Sequence, residues 1–321
     1  MRFSLSTNWN AGRHTDGGAL VDEILALGFE ALELGYNLTE ELAAGVRRRL
    51  QEGAVAVDSV HAYCPVPVGA PHGYPELYLL ASLDEDERAM AAILLGRALA
   101  FAESMGAGAV ILHAGRVFLK GWFREWNTRV LVDAFEGEEP SGGEAYQRLL
   151  AKVRQRRMRK AGAYFDGFCL SLETLLPKFE KAGVTLCLEN LPSIEAFPDE
   201  SEMMMLKRRF DTPALAYWHD MGHGQVRENM GWIRHEEMAR MLLPVTRGVH
   251  IHDVLPLMND HLSPGKGKID FGAFAFLGAC PMIKVFEPSE DVPGCELADS
   301  LAFVRKAWVL DAVKPEALPP A

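Results

Sequence analysis

Short apolar runs alternate with longer amphipathic stretches along the whole chain. Eight of the apolar runs are typical of buried strands: "RFSLST", "EALELG", "VAVDSVHAY", "AVILHAG", "VTLCLEN", "ALAYWHD", "RGVHIHD" and "MIKVFEP". Between them, residues 18–27, 84–104, 173–182, 235–243 and 298–309 carry apolar positions at helical spacing. Glycine often closes a helical stretch just before the next strand, as in "LALGFEAL" and "EKAGVTL", which indicates helix C-terminal caps.

This alternation predicts the fold class. Near-continuous apolar strands separated by helices are typical of a parallel sheet that helices cover. Eight such units in one chain favour a closed (β/α)8 TIM barrel over an open doubly wound sheet. No G-x-G-x-x-G motif follows an early strand, which disfavours dinucleotide binding. We therefore predict a single α/β domain, a TIM barrel, over residues 1–321.

One region interrupts the alternation after strand 4, at about residues 116–168. It contains an aromatic stretch "FLKGWFREW", an acidic turn "EGEEPSGGE" and a basic run "KVRQRRMRK". Connections in compact barrels are much shorter, so the region predicts an insertion or an extended helix. The basic run has two interpretations: a solvated helix face or oligomer contact, or an arm over the site. In the second, Lys152, Arg156 and Arg159 would attract a phosphorylated substrate.

Composition narrows the class of protein. A net charge of −11 disfavours nucleic acid as a partner, because binding to its backbone needs a positive surface. The five cysteines are scattered without a CxxC pair, so neither a disulfide framework nor a thiolate zinc site is indicated. The first residues do not resemble a signal peptide, and no apolar run reaches membrane-spanning length. We expect a cytoplasmic protein without a membrane partner, and a homo-oligomer remains open.

Candidate chemistry lies where the predicted strands end, which is where TIM barrels place their catalytic groups. Each residue alone has an ordinary structural explanation, such as a hydrogen-bonded core histidine or a glutamate paired with arginine. Gathered at one end of a barrel, however, buried carboxylates and imidazoles leave unpaired charge that a divalent cation would neutralise. By strand alternation His219 points to the helices and is excluded. The strand-end residues are His61, His113, Glu189, Asp220, His250 and Glu287, with His223 and His261 in the loops that follow.

Five stretches in this order resemble the xylose isomerase-like TIM barrel superfamily, also called AP endonuclease family 2. They are "VTLCLENLP", "YWHDMGHGQV", "GVHIHDVLP", "DHLSPGKGKIDFG" and "KVFEPS". The superfamily includes sugar-phosphate isomerases and epimerases together with enzymes of the endonuclease IV type. Apart from the insertion, the resemblance runs from residue 1 to about residue 309.

The resemblance implies that Glu189, Asp220, His250 and Glu287 are the ligands of one divalent metal. Three carboxylates and one imidazole suit Mn²⁺, Co²⁺ or Mg²⁺ and accept Zn²⁺. In isomerase-like members a metal holds the oxygens of a sugar, and the carboxylates corresponding to Glu189 and Glu287 move a proton from carbon through an enediolate. The leading hypothesis is an isomerase or epimerase of a sugar, sugar phosphate or related polyol.

The endonuclease-like branch implies a different chemistry. There, additional ligands at positions matching His61, His113, His223 and His261 hold further zinc ions that activate water against a phosphodiester. The alternative hypothesis is therefore a multi-zinc hydrolase, with a small-molecule substrate favoured over DNA. The chain departs from that branch at Asn259, which offers only a neutral oxygen where relatives have aspartate.

Two further stretches predict substrate contacts or supporting residues. In "PGKGK", Lys266 stands between glycines, which suggests recognition of an anionic group such as phosphate. In "HIHDV", His252 returns to the inner face two residues after His250. We expect His252 or Asp253 to orient a metal ligand or to contact substrate, without being a primary ligand.

Overall fold

A computed structural model describes residues 1–119, 126–136 and 143–310 of the chain. Eight parallel strands close into a barrel in the order β1-β8-β7-β6-β5-β4-β3-β2, which confirms the predicted (β/α)8 class. The strands are β1 (Ser4–Ser6), β2 (Ala31–Leu34), β3 (Ala56–His61), β4 (Ala109–Leu112), β5 (Thr185–Glu189), β6 (Leu215–Asp220), β7 (Thr246–Ile251) and β8 (Ile283–Phe286).

Helices connect the strands and cover the barrel. They are α1 (Gly17–Ala26), α2 (Glu40–Gln51), α3 (Glu85–Met105), α4 (Trp126–Glu136), α5 (Glu144–Ala182), α6 (Glu200–Arg209), α7 (Met221–Asn229), α8 (His235–Leu242), α9 (Ala275–Ala279) and α10 (Gly294–Leu310). Asp16, Thr39 and Asp84 cap helix N-termini through their side chains. Gly106 and Gly183 end α3 and α5 in the left-handed conformation, as the sequence predicts. Over the described ranges, no helix is long and apolar enough to cross a membrane.

The connection between β4 and β5 contains α4 and the 39-residue helix α5. Much of the aromatic stretch and of the acidic turn lies at residues 120–125 and 137–142, outside the described residues. The basic run lies on α5, whose buried side chains extend from Tyr146 to Phe179. Helix α5 is therefore an extended helix that buries side chains along nearly its whole length.

The barrel has two apolar layers. Inside the ring, a small cluster of Ala109, Ile111, Cys187, Ala216, Trp218 and Val285 fills the interior. Outside it, the alternate strand residues pack against the helices in one large core. His219 belongs to the outer layer, where its ring contacts His235 and Phe274, as strand alternation predicts. Burial lowers the pKa of His219 to about 4, so this imidazole is neutral near pH 7.

Candidate active site

Polar side chains gather at the carboxyl ends of the strands on the inner face of the barrel. Because side chains alternate along a strand, Trp218 and Asp220 both point inward from β6. His250 does so from β7, and His252 follows directly after that strand. All the strand-end residues singled out in the sequence are brought together there. The structure joins them in three groups of potential ligands: Glu189, Asp220, His250 and Glu287; His61, His113 and Glu189; and His223, His252 and His261.

The first group is a buried quartet of three carboxylates and one imidazole. Within each group one ligand atom per residue lies within 4.8 Å of the others. Nδ1 of His250 is 3.2 Å from Glu189 Oε1, 3.1 Å from Glu287 Oε2 and 3.6 Å from Asp220 Oδ2. Three buried carboxylates repel one another unless positive charge lies between them. The quartet therefore fits a divalent cation, with oxygen and imidazole nitrogen as the donor set.

Glu189 connects the quartet to the second group. Its Oε2 lies 3.2 Å from Nε2 of His61 and 3.3 Å from Nε2 of His113. Nδ1 of His61 contacts the carbonyl oxygen of Ala62 at 3.0 Å. A carbonyl oxygen only accepts, so this nitrogen carries the proton and Nε2 presents a lone pair to Glu189. The arrangement therefore needs a proton or a metal ion between Nε2 of His61 and Glu189.

His113 has a carboxylate on each side. Its Nδ1 lies 3.5 Å from Oε1 of Glu76, and Glu76 in turn binds Arg116 through two hydrogen bonds. Burial alone lowers the pKa of His113, but Glu189 and Glu76 outweigh it and raise the value to about 9. His113 without a bound metal is therefore positively charged at neutral pH.

The third group contains two imidazoles whose tautomers are fixed by backbone carbonyls. Nδ1 of His223 donates to the carbonyl oxygen of Asn190 at 2.9 Å, and Nδ1 of His261 donates to that of Glu287 at 2.8 Å. In the neutral form of each ring, Nε2 is thereby left as an acceptor or ligand. Burial opposes protonation of His223, but Asp220 and Glu189 raise its pKa to about 10.

His252 lies beside the quartet and hydrogen-bonds the carboxylate of Asp220. Its Nδ1 accepts the backbone N–H of His261 at 2.8 Å, so Nε2 carries the proton. That Nε2 donates to both oxygens of Asp220, at 2.9 and 3.0 Å. Both nitrogens of His252 are occupied by these hydrogen bonds, and its role in orienting a metal ligand stays a prediction.

The glycines of "DMGHG" make room for this arrangement. A Cβ atom on Gly222 would lie 1.9 Å from Cε1 of His252. A Cβ atom on Gly224 would lie 2.3 Å from Nε2 of His235. The motif thus supplies Asp220 and His223, and its glycines leave space for the rings of His252 and His235.

Asp253 contacts the backbone of the glycine-rich loop, and a substrate contact of Lys266 stays a prediction. The carboxylate of Asp253 accepts the backbone N–H groups of Val254, Gly265, Gly267 and Ile269. These N–H groups are therefore committed to Asp253 and do not form a cradle for phosphate. Lys266 is exposed on the same loop. Asp253 holds the glycine-rich loop in place, because a carboxylate with two acceptor atoms can bind several backbone N–H groups.

Sequence reasoning missed two buried carboxylates, Glu33 on β2 and Glu76 in the loop after β3. Glu33 is fully buried and lies 3.1 Å from Nε2 of His250. Burial raises the pKa of Glu76, but His113 and Arg116 outweigh it and lower the value to about 2. The charged glutamate inside the apolar run "EALELG" was a usable signal for Glu33. Glu76 lies in a loop, where no periodic pattern marks it.

Two carboxylates of the quartet, Glu189 and Glu287, differ in their proton affinity. Burial would raise the pKa of Glu189, but the imidazoles of His250 and His113 outweigh it and hold the value well below its usual range. Burial also raises the pKa of Glu287, and there the nearby charge of Glu189 adds to the effect. Glu287 is therefore the more ready to hold a proton.

The fold and the site define a TIM-barrel protein whose polar centre lies at the carboxyl ends of the strands, the active-site position of this class. Residues 21–277 match the sequence profile of the xylose isomerase-like TIM barrel family. The chain belongs to this family, as the resemblance in its motifs predicts.

Solved structures with the same fold cover nearly the whole chain. A D-tagatose 3-epimerase-like protein has a TM-score of 0.69 at 16% identity, covering 98% of this chain and 99% of its own. A 3-keto-D-glucoside 4-epimerase from E. coli has a TM-score of 0.68 at 18% identity, covering 95% of this chain and 99% of its own. A Thermus thermophilus protein soaked with ZnCl2 has a TM-score of 0.59 at 17% identity, covering 96% of this chain and 98% of its own. At these identities the likeness concerns the fold. Comparison with curated protein sequences gives no significant match.

Proposed function

We propose that the protein is a divalent-metal-dependent isomerase or epimerase of a sugar or related polyol. The observation that carries the proposal is the buried quartet, in which Glu189 and Glu287 flank Nδ1 of His250 at 3.2 and 3.1 Å. Glu189 ends β5 and Glu287 directly follows β8, and these two strands are separated in the ring by β6 and β7. Membership of the xylose isomerase-like family and structural neighbours named as sugar epimerases support it.

The residues supply the parts that proton transfer at carbon requires. A divalent ion, when bound, supplies positive charge against the negative charge that develops as a proton leaves the carbon beside a carbonyl. Glu189 and Glu287 approach from different sides, so one can take a proton and the other can return it to the opposite face. Because burial and the charge of Glu189 raise its pKa, Glu287 is the carboxylate better suited to hold and return a proton. His223 and His261 offer Nε2 atoms that can bind substrate hydroxyl groups.

The proposal is tested by incubation in D₂O with a panel of ketoses and ketose phosphates and with Mn²⁺, Co²⁺, Mg²⁺ or Zn²⁺. We expect deuterium at the carbon beside the carbonyl of at least one sugar, together with its epimer or isomer, and loss of both on chelation. Glu287→Gln should lower the exchange rate by about 10²-fold or more. Glu290→Gln, an exposed position in the same loop, is the control and should retain activity. Absence of exchange with every sugar and ion would contradict the proposal.

A second candidate function is multi-zinc phosphodiester hydrolysis on a small molecule. The observation that favours it is the second group, in which Nε2 of His61 and of His113 both face Oε2 of Glu189. Such a group fits a further cation that shares Glu189 with the quartet. Elemental analysis separates the candidates when it is combined with an assay on a chromogenic phosphodiester. Two or more zinc ions per chain with phosphodiester turnover, and without exchange at carbon, would establish hydrolysis instead.

A further inference from the structure

We infer that Glu33 is the positioning residue that sets the tautomer of His250 and turns Nδ1 into a metal ligand. The inference rests on the metal quartet of the proposed function. It concerns binding of the ion, and it does not depend on which sugar or other substrate the protein accepts.

Strand alternation places Glu33 inside the barrel, on β2 and facing His250 on β7 across the interior. The carboxylate is fully buried, and its two oxygens lie 3.2 and 3.1 Å from Nε2 of His250. Ser59, its register partner on β3, donates a hydrogen bond to Oε2 at 2.9 Å. Glu33 therefore has a fixed position and a single imidazole within hydrogen-bond distance among the described contacts.

The chemistry of the imidazole decides what this contact does. Neutral histidine has one N–H, and an ionised carboxylate can only accept. With the N–H on Nε2, the proton lies in the bond to Glu33 and the lone pair of Nδ1 points at the quartet. With the N–H on Nδ1, the lone pair of Nε2 would meet the carboxylate of Glu33, and two acceptors would oppose each other. Glu33 therefore favours the tautomer that can bind a metal through Nδ1.

Packing holds the plane of the ring independently of Glu33. Trp218 meets His250 edge-on at 5.1 Å between ring centroids, and His61 stacks on it at 5.8 Å. Removal of Glu33 should therefore change the tautomer and basicity of His250 more than the orientation of its ring. This separates a positioning role from general support of the fold.

The test measures Mn²⁺ affinity by electron paramagnetic resonance of free Mn²⁺, and folding by circular dichroism. Glu33→Met removes the acceptor and should raise the dissociation constant by about 100-fold, while Glu33→Gln, which keeps a neutral acceptor, should raise it by about 10-fold. Ser59→Ala should have a smaller effect in the same direction. Glu195→Gln alters another fully buried glutamate, which binds the first turn of α4, and should leave the affinity unchanged.

A second measurement uses the wild-type protein, in case Glu33→Met does not fold. In ¹⁵N-labelled, Zn²⁺-loaded protein, long-range couplings of His250 should show the proton on Nε2. A proton on Nδ1 would overturn the inference. So would a folded Glu33→Met variant whose Mn²⁺ affinity is within about twofold of wild type, a difference far below that of a lost supporting contact. Wild-type protein that binds no divalent ion would overturn the inference and the proposed function together, whereas loss of sugar chemistry alone would leave the inference standing.

Discussion

At the scale of single residues, the site depends on positions where a side chain must be absent. Gly222 lies directly against the ring of His252, and that ring holds both oxygens of Asp220. Gly248 lies against the ring of Trp218, where a Cβ atom would come within 2.1 Å of Cζ3. These glycines leave the space that the rings beside the potential ligands require.

We predict that Gly222→Ala weakens metal binding and also lowers the stability of the fold. The new Cβ atom displaces His252 from Asp220, and loss of such a supporting contact should cost about 10- to 100-fold in metal affinity. Overpacking should cost about 1–3 kcal/mol of unfolding free energy. Isothermal titration with Mn²⁺ and urea unfolding measure the two effects. Gly162→Ala is the control, because a Cβ atom there meets nothing within 4 Å. Its Mn²⁺ affinity should stay near wild type, and the alanine should raise the unfolding free energy by about 1 kcal/mol because glycine is unfavourable inside a helix. Equal Mn²⁺ affinities of Gly222→Ala and wild type would refute the role of His252.

At the scale of elements, polar contacts join helix α5 to the start of α6, and Asp253 to the glycine-rich loop. Arg157 on α5 is buried and binds Asp199 at 2.8 Å and Glu202 at 2.7 Å, at the start of α6. Lys152, Arg156 and Arg159 on the same helix are exposed. The basic run therefore combines one structural arginine with a solvated face, and its role in attracting substrate stays a prediction.

We predict that Arg157→Gln destabilises the protein by about 3–5 kcal/mol, because it leaves the buried carboxylate of Glu202 and the partly buried carboxylate of Asp199 without their partner. The combined Lys152→Gln, Arg156→Gln and Arg159→Gln variant should unfold within about 0.5 kcal/mol of wild type, as exposed substitutions usually do. Urea unfolding compares the two. If the triple variant were the less stable one, this assignment of roles along α5 would be wrong. Unchanged activity of the triple variant at low salt would also remove the attracting role.

The loop of residues 263–269 gives a second prediction at this scale. Asp253→Ala frees the N–H groups of Gly265, Gly267 and Ile269, so their amide hydrogen exchange should become faster by about 10-fold or more. Asp270→Ala is the control, since Asp270 binds only N–H groups nearby at residues 272 and 273 among its described hydrogen bonds. Unchanged protection of Gly265 and Gly267 in Asp253→Ala would show that the loop is held by other contacts.

At the scale of the whole molecule, a strongly acidic chain concentrates several carboxylates in the centre of its barrel. Without a metal ion, protonated histidines are the described partners of these carboxylates. The pKa values of His113 and His223 are raised to about 9 and about 10 by their carboxylate neighbours, against about 6.5 in an unfolded chain. A group whose pKa is raised on folding stabilises the folded state fully below its unfolded pKa, and this contribution is lost as pH rises through the folded value.

We therefore predict that the chelated protein loses thermal stability as the pH rises from about 6.5 to about 10. The metal-loaded protein should show a smaller loss, because metal binding strengthens as its ligands lose protons. Calorimetry of both forms across this range provides the measurement. A variant combining His113→Gln and His223→Gln should flatten the curve of the chelated protein. A chelated wild type that gained stability over this pH range would contradict the charge state described for the site.

The sequence by itself determined the class of fold and the grouping of the strand-end residues, because both follow from local regularities. Apolar runs and helical stretches alternate through the chain, and parallel strands bring their carboxyl ends to one edge, so residues such as Asp220 and Glu287 could be grouped from their positions in the chain alone. The inward return of His252 follows from the two-residue repeat of a strand. Only the tertiary structure decided the partners across the ring: Glu33 against His250, Glu76 against His113, and Asp253 against the glycine-rich loop. These contacts join residues from different elements, and loop conformation and ring tautomers depend on packing and hydrogen bonds that no local pattern encodes.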